Sequence, residues 1–216
     1  MAADLLELAK KVREVLATKR TDEDIKSLVN AANYVVLTPN ERKDMQRKEI
    51  MAGMMRDIEK SGYFKPEKLS YMEKIIPKIG GYFTDPFSYG DCLSDEEKAA
   101  FHINPELKIS REMADCMSEK GLSEKDPRHI VPIIYYMNLF AISRKYKLME
   151  LRARGVTKVK IINMGGDLDC EKIRGHTGTY PINDVPALPL PGCDAAYCRC
   201  DFEPYREETE QGEVSV

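Results

Sequence analysis

No run of apolar residues in this chain approaches the roughly 20 that a membrane-crossing helix needs. The opening stretch MAADLLELAKKVREV carries charges where a secretion signal would need an apolar segment. The expected setting is therefore the cytoplasm or the interior of a virion, not the secretory route. Catalytic signatures are missing as well: there is no P-loop, no H-E-x-x-H, no deaminase signature and no Ser-His-Asp elbow. A cysteine nucleophile would need a histidine base, and only His102, His129 and His176 are available. Asp167 and Asp169 could hold a divalent cation, although an acidic turn after a strand is commonly just a turn. These absences weigh against an enzyme. Charge of one sign is also lacking, since 33 basic and 36 acidic side chains leave a net −3. That balance gives no global attraction to nucleic acid or acidic lipid, so partners have to be sought locally. No internal repeat or low-complexity segment is visible.

What is present is mostly helical pattern. Leu5, Leu8, Val12, Val15 and Leu16 recur at helical spacing over residues 2 to 18, and Ile25, Leu28, Val29 and Ala32 over residues 21 to 36. Thr38, Pro39 and Glu41 supply a capping hydroxyl, a first-turn proline and a carboxylate at the positive end of the dipole. They predict a helix that passes Met51, Met54, Met55 and Ile58 and stops at Gly62. Its methionine stripe suits either core packing or an adaptable binding face. Further helices are predicted over 66–79, 94–101 and 110–120, with a break near 80–93 in the Gly-, Pro- and aromatic-rich GYFTDPFSYGDC. The 216 residues and 43% hydrophobic content supply an ordinary globular core.

The longest helix is predicted from Asp126 as cap and Pro127 in the first turn to Gly155. Ile130 to Ile142 is apolar nearly all round, which predicts the central buried helix of the body. Beyond it the composition turns basic, with Arg144, Lys145, Lys147, Arg152 and Arg154 followed by Lys158 and Lys160. This segment, 144–160, either contacts the phosphates of a nucleic acid or is a solvated helix end facing the acid-rich Glu203, Glu207, Glu208, Glu210 and Glu213.

After Gly155 the period changes. Val156, Val159, Ile161 and Ile162 read as a strand, Met164-Gly165-Gly166-Asp167 as the turn leaving it, and Tyr180-Pro181 as a second short extended piece. DVPALPLPG then forms an extended strap with no helix and little sheet. The fold class expected is mainly α: a helical body over 1–155, a small irregular β-containing cysteine-rich module over 156–205, and an acidic tail over 206–216.

Four of the six cysteines fall in that module as Cys170, Cys193, Cys198 and Cys200, with His176 between the first two. In a reducing compartment clustered thiols serve as metal ligands or as buried apolar groups. Thiolates from two separated segments suit tetrahedral zinc, with all four cysteines as ligands or His176 replacing Cys198 or Cys170. A disulfide from Cys170 to Cys193 or Cys198, and metal-free thiols, are the two other readings. The C-x2-C pair that nucleates most zinc ribbons is absent. Cys92 and Cys116 lie far from this group beside Leu93 and Met117, and read as small core residues.

GVTKVKII, DLDCEKIRGHTGTYPINDVPALPLPGC and CRCDFEPY together resemble the cysteine-rich tail of tailed-phage head-morphogenesis (minor capsid) proteins and of related bacterial proteins of unknown function. In that pattern Gly166 and Asp167 match the turn, Cys170 the first cysteine, and Gly175 or Gly178 with Tyr180 the next element. Pro186, Pro189 and Pro191 match the strap, and Cys198-Arg199-Cys200 the close. The second cysteine of the family's pair is replaced here by Ile173, so His176 or Cys193 would have to complete a metal site. The resemblance implies a phage or prophage setting and an architectural part in assembly, without implying a catalytic residue, and protein partners are expected.

Overall fold

The computed structural model describes residues 37–76, 90–163, 178–191, 193 and 198–205. The expectations for helices over 2–18 and 21–36, the break near 80–93 apart from its last residues, the turn at Gly166-Asp167, and the acidic tail lie outside them. Cys170 and His176 do too. Within the described residues the fold is mainly α with one small antiparallel sheet towards the C-terminus. Helix α1 spans Pro39–Ser61, α2 Leu69–Ile75, α3 Asp95–Ala100, α4 Arg111–Cys116, α5 Glu119–Leu122 and α6 Ile130–Ala153. Strands β1, β2 and β3 span Lys158–Asn163, Thr179–Pro181 and Cys200–Pro204. None of these helices is long and apolar enough to cross a membrane.

Local chemistry sets the helix starts. Thr38 accepts from the Glu41 N–H while the Glu41 carboxylate takes the Thr38 N–H at 2.8 Å, a reciprocal capping box at the head of α1. Ser94 and Glu97 repeat the device on α3. Ser110 and Ser118 cap α4 and α5 through their hydroxyls. Asp126 accepts from the Arg128 N–H at the entry to a 3-10 turn, Pro127–His129, that feeds α6. At the other end of α6 Gly155 adopts φ 77°. Its N–H donates to Arg152 O and that of Val156 to Leu151 O, the paired bonds of a Schellman stop.

By backbone contact the chain divides into two compact units, residues 45–142 and the described residues of 1–44 with 143–216. The division lies inside α6, whereas the change of sequence period lies at Gly155. In the unit 45–142 the core gathers Met54, Ile58, Met72, Ile109, Met113, Met117 and Val131, each almost wholly buried. Met54 is fully buried and Met51 and Met55 pack against that core, which favours core packing for the methionine stripe. Cys116 is buried there too, and burial pushes its thiol pKa up. Cys92, by contrast, is only half-buried. The segment Tyr63 to Lys65 is stitched to the end of α4 by Lys65 N–H to Cys116 O and Ser118 N–H to Tyr63 O, both 2.9 Å. Along α6, Ile130, Val131 and Ile134 are buried, but most residues of 132–142 are half-buried and Met137 is 48% exposed. The helix is therefore buried along one side and not all round.

The second unit is built on the sheet, whose order is β2-β1-β3 with both pairs antiparallel. The alternation of a half-buried sheet is plain in β1, where Val159 and Ile161 are buried and Lys158 and Lys160 exposed. Opposite residues share a face, so Tyr180, Phe202 and Cys200 join Val159 and Ile161 on the inner side. Leu148 and Leu151 of α6 belong to the same apolar cluster, as do Ile182, Leu188 and Cys198.

Candidate functional site

Of the predicted site residues, Arg144 and Lys147 on the C-terminal half of α6 meet the segment that holds Cys198 and Cys200. Arg144 lies at the centre of this contact. Helical spacing puts Arg144, Leu148 and Leu151 on one stripe of α6, and Arg144 is only 6% exposed. Its Nη1 donates to the carbonyls of Cys198 (3.0 Å) and Cys200 (3.1 Å), and its Nη2 lies 3.4 Å from Leu188 O in the proline strap. One guanidinium thus ties the two closing cysteines and the strap to the helix. A buried cation is tolerated because backbone carbonyls replace its water.

The rest of the basic stretch divides by partner. Lys147 pairs with Asp201 at 2.5 Å, and Lys160 on β1 with Glu203 on β3 at 3.3 Å. Arg152 donates to Ile182 O at 3.0 Å, and burial lowers its pKa from the ordinary guanidinium range. Arg154 pairs with Glu150 one turn away on α6. Lys145 and Lys158 are exposed, Lys145 lying 5.5 Å from the Tyr146 ring centre. The stretch is therefore spent largely on internal partners in the β3 and strap segments. Arg144 in particular has no face to offer a phosphate. Two of the acidic partners are Glu203, which the sequence singled out, and Asp201, which it did not.

Among the predicted metal ligands, Cys198 and Cys200 are buried in the apolar cluster and Cys193 is half-buried against it. Soft thiolates are the right donors for zinc. Among the described residues, however, no group of three or more His, Cys, Asp or Glu side chains stands together as a metal site. Cys193, Cys198 and Cys200 do not make one by themselves. A centre there would need Cys170 or His176, both outside the described residues. Of the other histidines, His129 is exposed beside Asp126 at 3.7 Å, and His102 ends α3 with φ 57°.

Two features escaped the sequence reading. Strand β3 did, although Cys200-Asp201-Phe202-Glu203-Pro204 alternates apolar and polar at period two. The other was the role of Arg144. A basic residue at the border of an apolar helix was the available signal, but its partners are backbone carbonyls, and these leave no trace in side-chain identity. No family model matches the chain, and neither a curated protein nor a solved structure matches it.

Proposed function

We propose that this chain is a non-enzymatic binding protein of phage or mobile-element origin, which presents its helical residues and its C-terminal sheet to protein partners. The observation that carries this reading is the Arg144 junction. Three of the cations that would serve a nucleic acid, Arg144, Lys147 and Arg152, are turned onto the Cys198, Cys200, Leu188 and Ile182 carbonyls and onto Asp201. Such an arrangement builds a shaped surface and leaves few free charges to grip phosphates. The mobile-element setting rests on the resemblance of the Gly166 to Cys200 segment to head-morphogenesis tails.

The test is biochemical and genetic. The protein is expected in assembled particles or their precursors when the element carrying it is induced, and Arg144→Met is expected to remove it from them. Finding the intact chain in neither fraction, with no capsid or portal genes beside its own, overturns the reading. So does steep, salt-dependent DNA or RNA binding that reversal of Lys145 and Lys158 abolishes.

A further inference from the structure

β3 is an edge strand: β1 lies on one side of it, and among the described residues no strand lies on the other. An edge of this kind is a template for a strand from another chain, because its outward N–H and C=O groups await partners. The register identifies the outward residues. Tyr205 N–H donates to Lys158 O at 3.0 Å, Glu203 lies opposite Lys160, and Asp201 opposite Ile162. Backbone direction alternates along a strand, so residues 201, 203 and 205 address β1, and Cys200, Phe202 and Pro204 address the open side.

At two of those outward positions one backbone group has a partner within the chain, and at the third the donor is missing. The Cys200 carbonyl is taken by Arg144 Nη1, which spans to the Cys198 carbonyl as well. The Phe202 N–H donates to Oδ1 of its own neighbour Asp201 at 2.8 Å, while Oδ2 of the same carboxylate holds Lys147. Pro204 has no N–H to offer. The opposite edge of the sheet repeats the last device. Tyr180 lies opposite Val159 and Ile182 N–H donates to Thr157 O at 2.9 Å, so Pro181 faces outward. Its carbonyl accepts from Asp184 N–H at 2.9 Å.

From this geometry we infer that Arg144, Asp201 and Pro204 guard the β3 edge against strand pairing with a second copy of this chain. The occupant excluded is a second copy because β3 is one short strand carrying Cys200 and Phe202 on its apolar face, and an identical strand is always present at the same concentration. The guard uses a buried cation held by backbone carbonyls and a proline of the kind that sheets admit at their edges.

The experiment is the double variant Asp201→Ala, Pro204→Thr, which leaves Arg144 and the apolar-face residues Cys200 and Phe202 intact and restores a free N–H at positions 202 and 204. Light scattering over a wide concentration range should give a weight-average mass about twofold or more above the wild type at the highest concentrations. Amide exchange at Phe202 should slow in step with that rise. A variant that keeps the wild-type far-ultraviolet spectrum and shows the wild-type mass throughout overturns the inference. Should the double variant fail to fold, Pro204→Thr alone keeps the Lys147 to Asp201 pair and is judged by the same two measurements.

Discussion

Arg144 and Cys200 are joined across 56 residues of sequence by a 3.1 Å hydrogen bond from a guanidinium nitrogen to a backbone carbonyl. The same nitrogen reaches the Cys198 carbonyl, so one side chain ties residues 198–200 to α6. Replacing it by methionine keeps the apolar stem but leaves these carbonyls without their charged donor. Each hydrogen bond to a charged group contributes on the order of 1.5 to 3 kcal/mol. Arg144→Met should therefore cost the sheet unit about 3 kcal/mol, read as a roughly hundredfold loss of amide-exchange protection in β1 and β3. Lys147→Met, which breaks a half-exposed pair, should cost less than about 1 kcal/mol. Equal losses from the two variants would contradict the central place given to Arg144.

Thiol reactivity should follow burial. Cys92 and Cys193 are half-buried and Cys116, Cys198 and Cys200 buried, so alkylation of the native protein should mark the first two well before the other three. Because Arg144 and the apolar cluster hold the Cys198 to Cys200 segment, a chelator should leave that order unchanged. Rapid labelling of Cys198 and Cys200 on chelation, with metal released, would show instead that zinc bound through Cys170 or His176 is what keeps the segment in place.

Gly121 allows the chain to cross itself at the start of α5. A Cβ added there would stand 2.3 Å from Tyr63 O, a backbone atom that is also bonded to Ser118 N–H and so cannot easily move. Gly121→Ala should destabilise the unit 45–142 by about 2 kcal/mol, well beyond the gain in helix propensity of about 1 kcal/mol. Denaturant unfolding followed by tyrosine fluorescence measures it. A variant as stable as the wild type would mean that the two segments are not held this tightly.

Acid should weaken the entry to α6. The side-chain hydrogen bonds from Arg128 hold the Asp126 carboxyl below the ordinary carboxylate range, assisted by the Arg128 backbone N–H. A carboxyl whose folded pKa is depressed stabilises the fold fully above its unfolded value near 3.9, and that stabilisation is lost as pH falls through the lower folded value. The stability of wild type minus Asp126→Asn should therefore be flat from about pH 7 to 5 and decline below about pH 4. A difference that stays constant down to pH 2 would remove the role given to this carboxylate.

What could be read from the sequence was whatever local chemistry decides. Thr38 and Asp126 announced helix starts, and Gly62 and Gly155 announced stops, because capping and left-handed backbone involve residues within a few positions of one another. The β-branched run of Val156, Val159, Ile161 and Ile162 announced β1 for the same reason. The mainly helical class followed from these signals. The destination of Arg144, Lys147 and Arg152 did not, since their partners are carbonyls and a carboxylate some 30 to 56 residues away, and no side-chain pattern marks a carbonyl. Nor did the pairing of β1 with β3, which depends on where α6 sets the chain down. Only the tertiary structure could decide whether Arg144 faces water or the interior, because burial of a cation depends on which distant backbone groups arrive to replace its hydration.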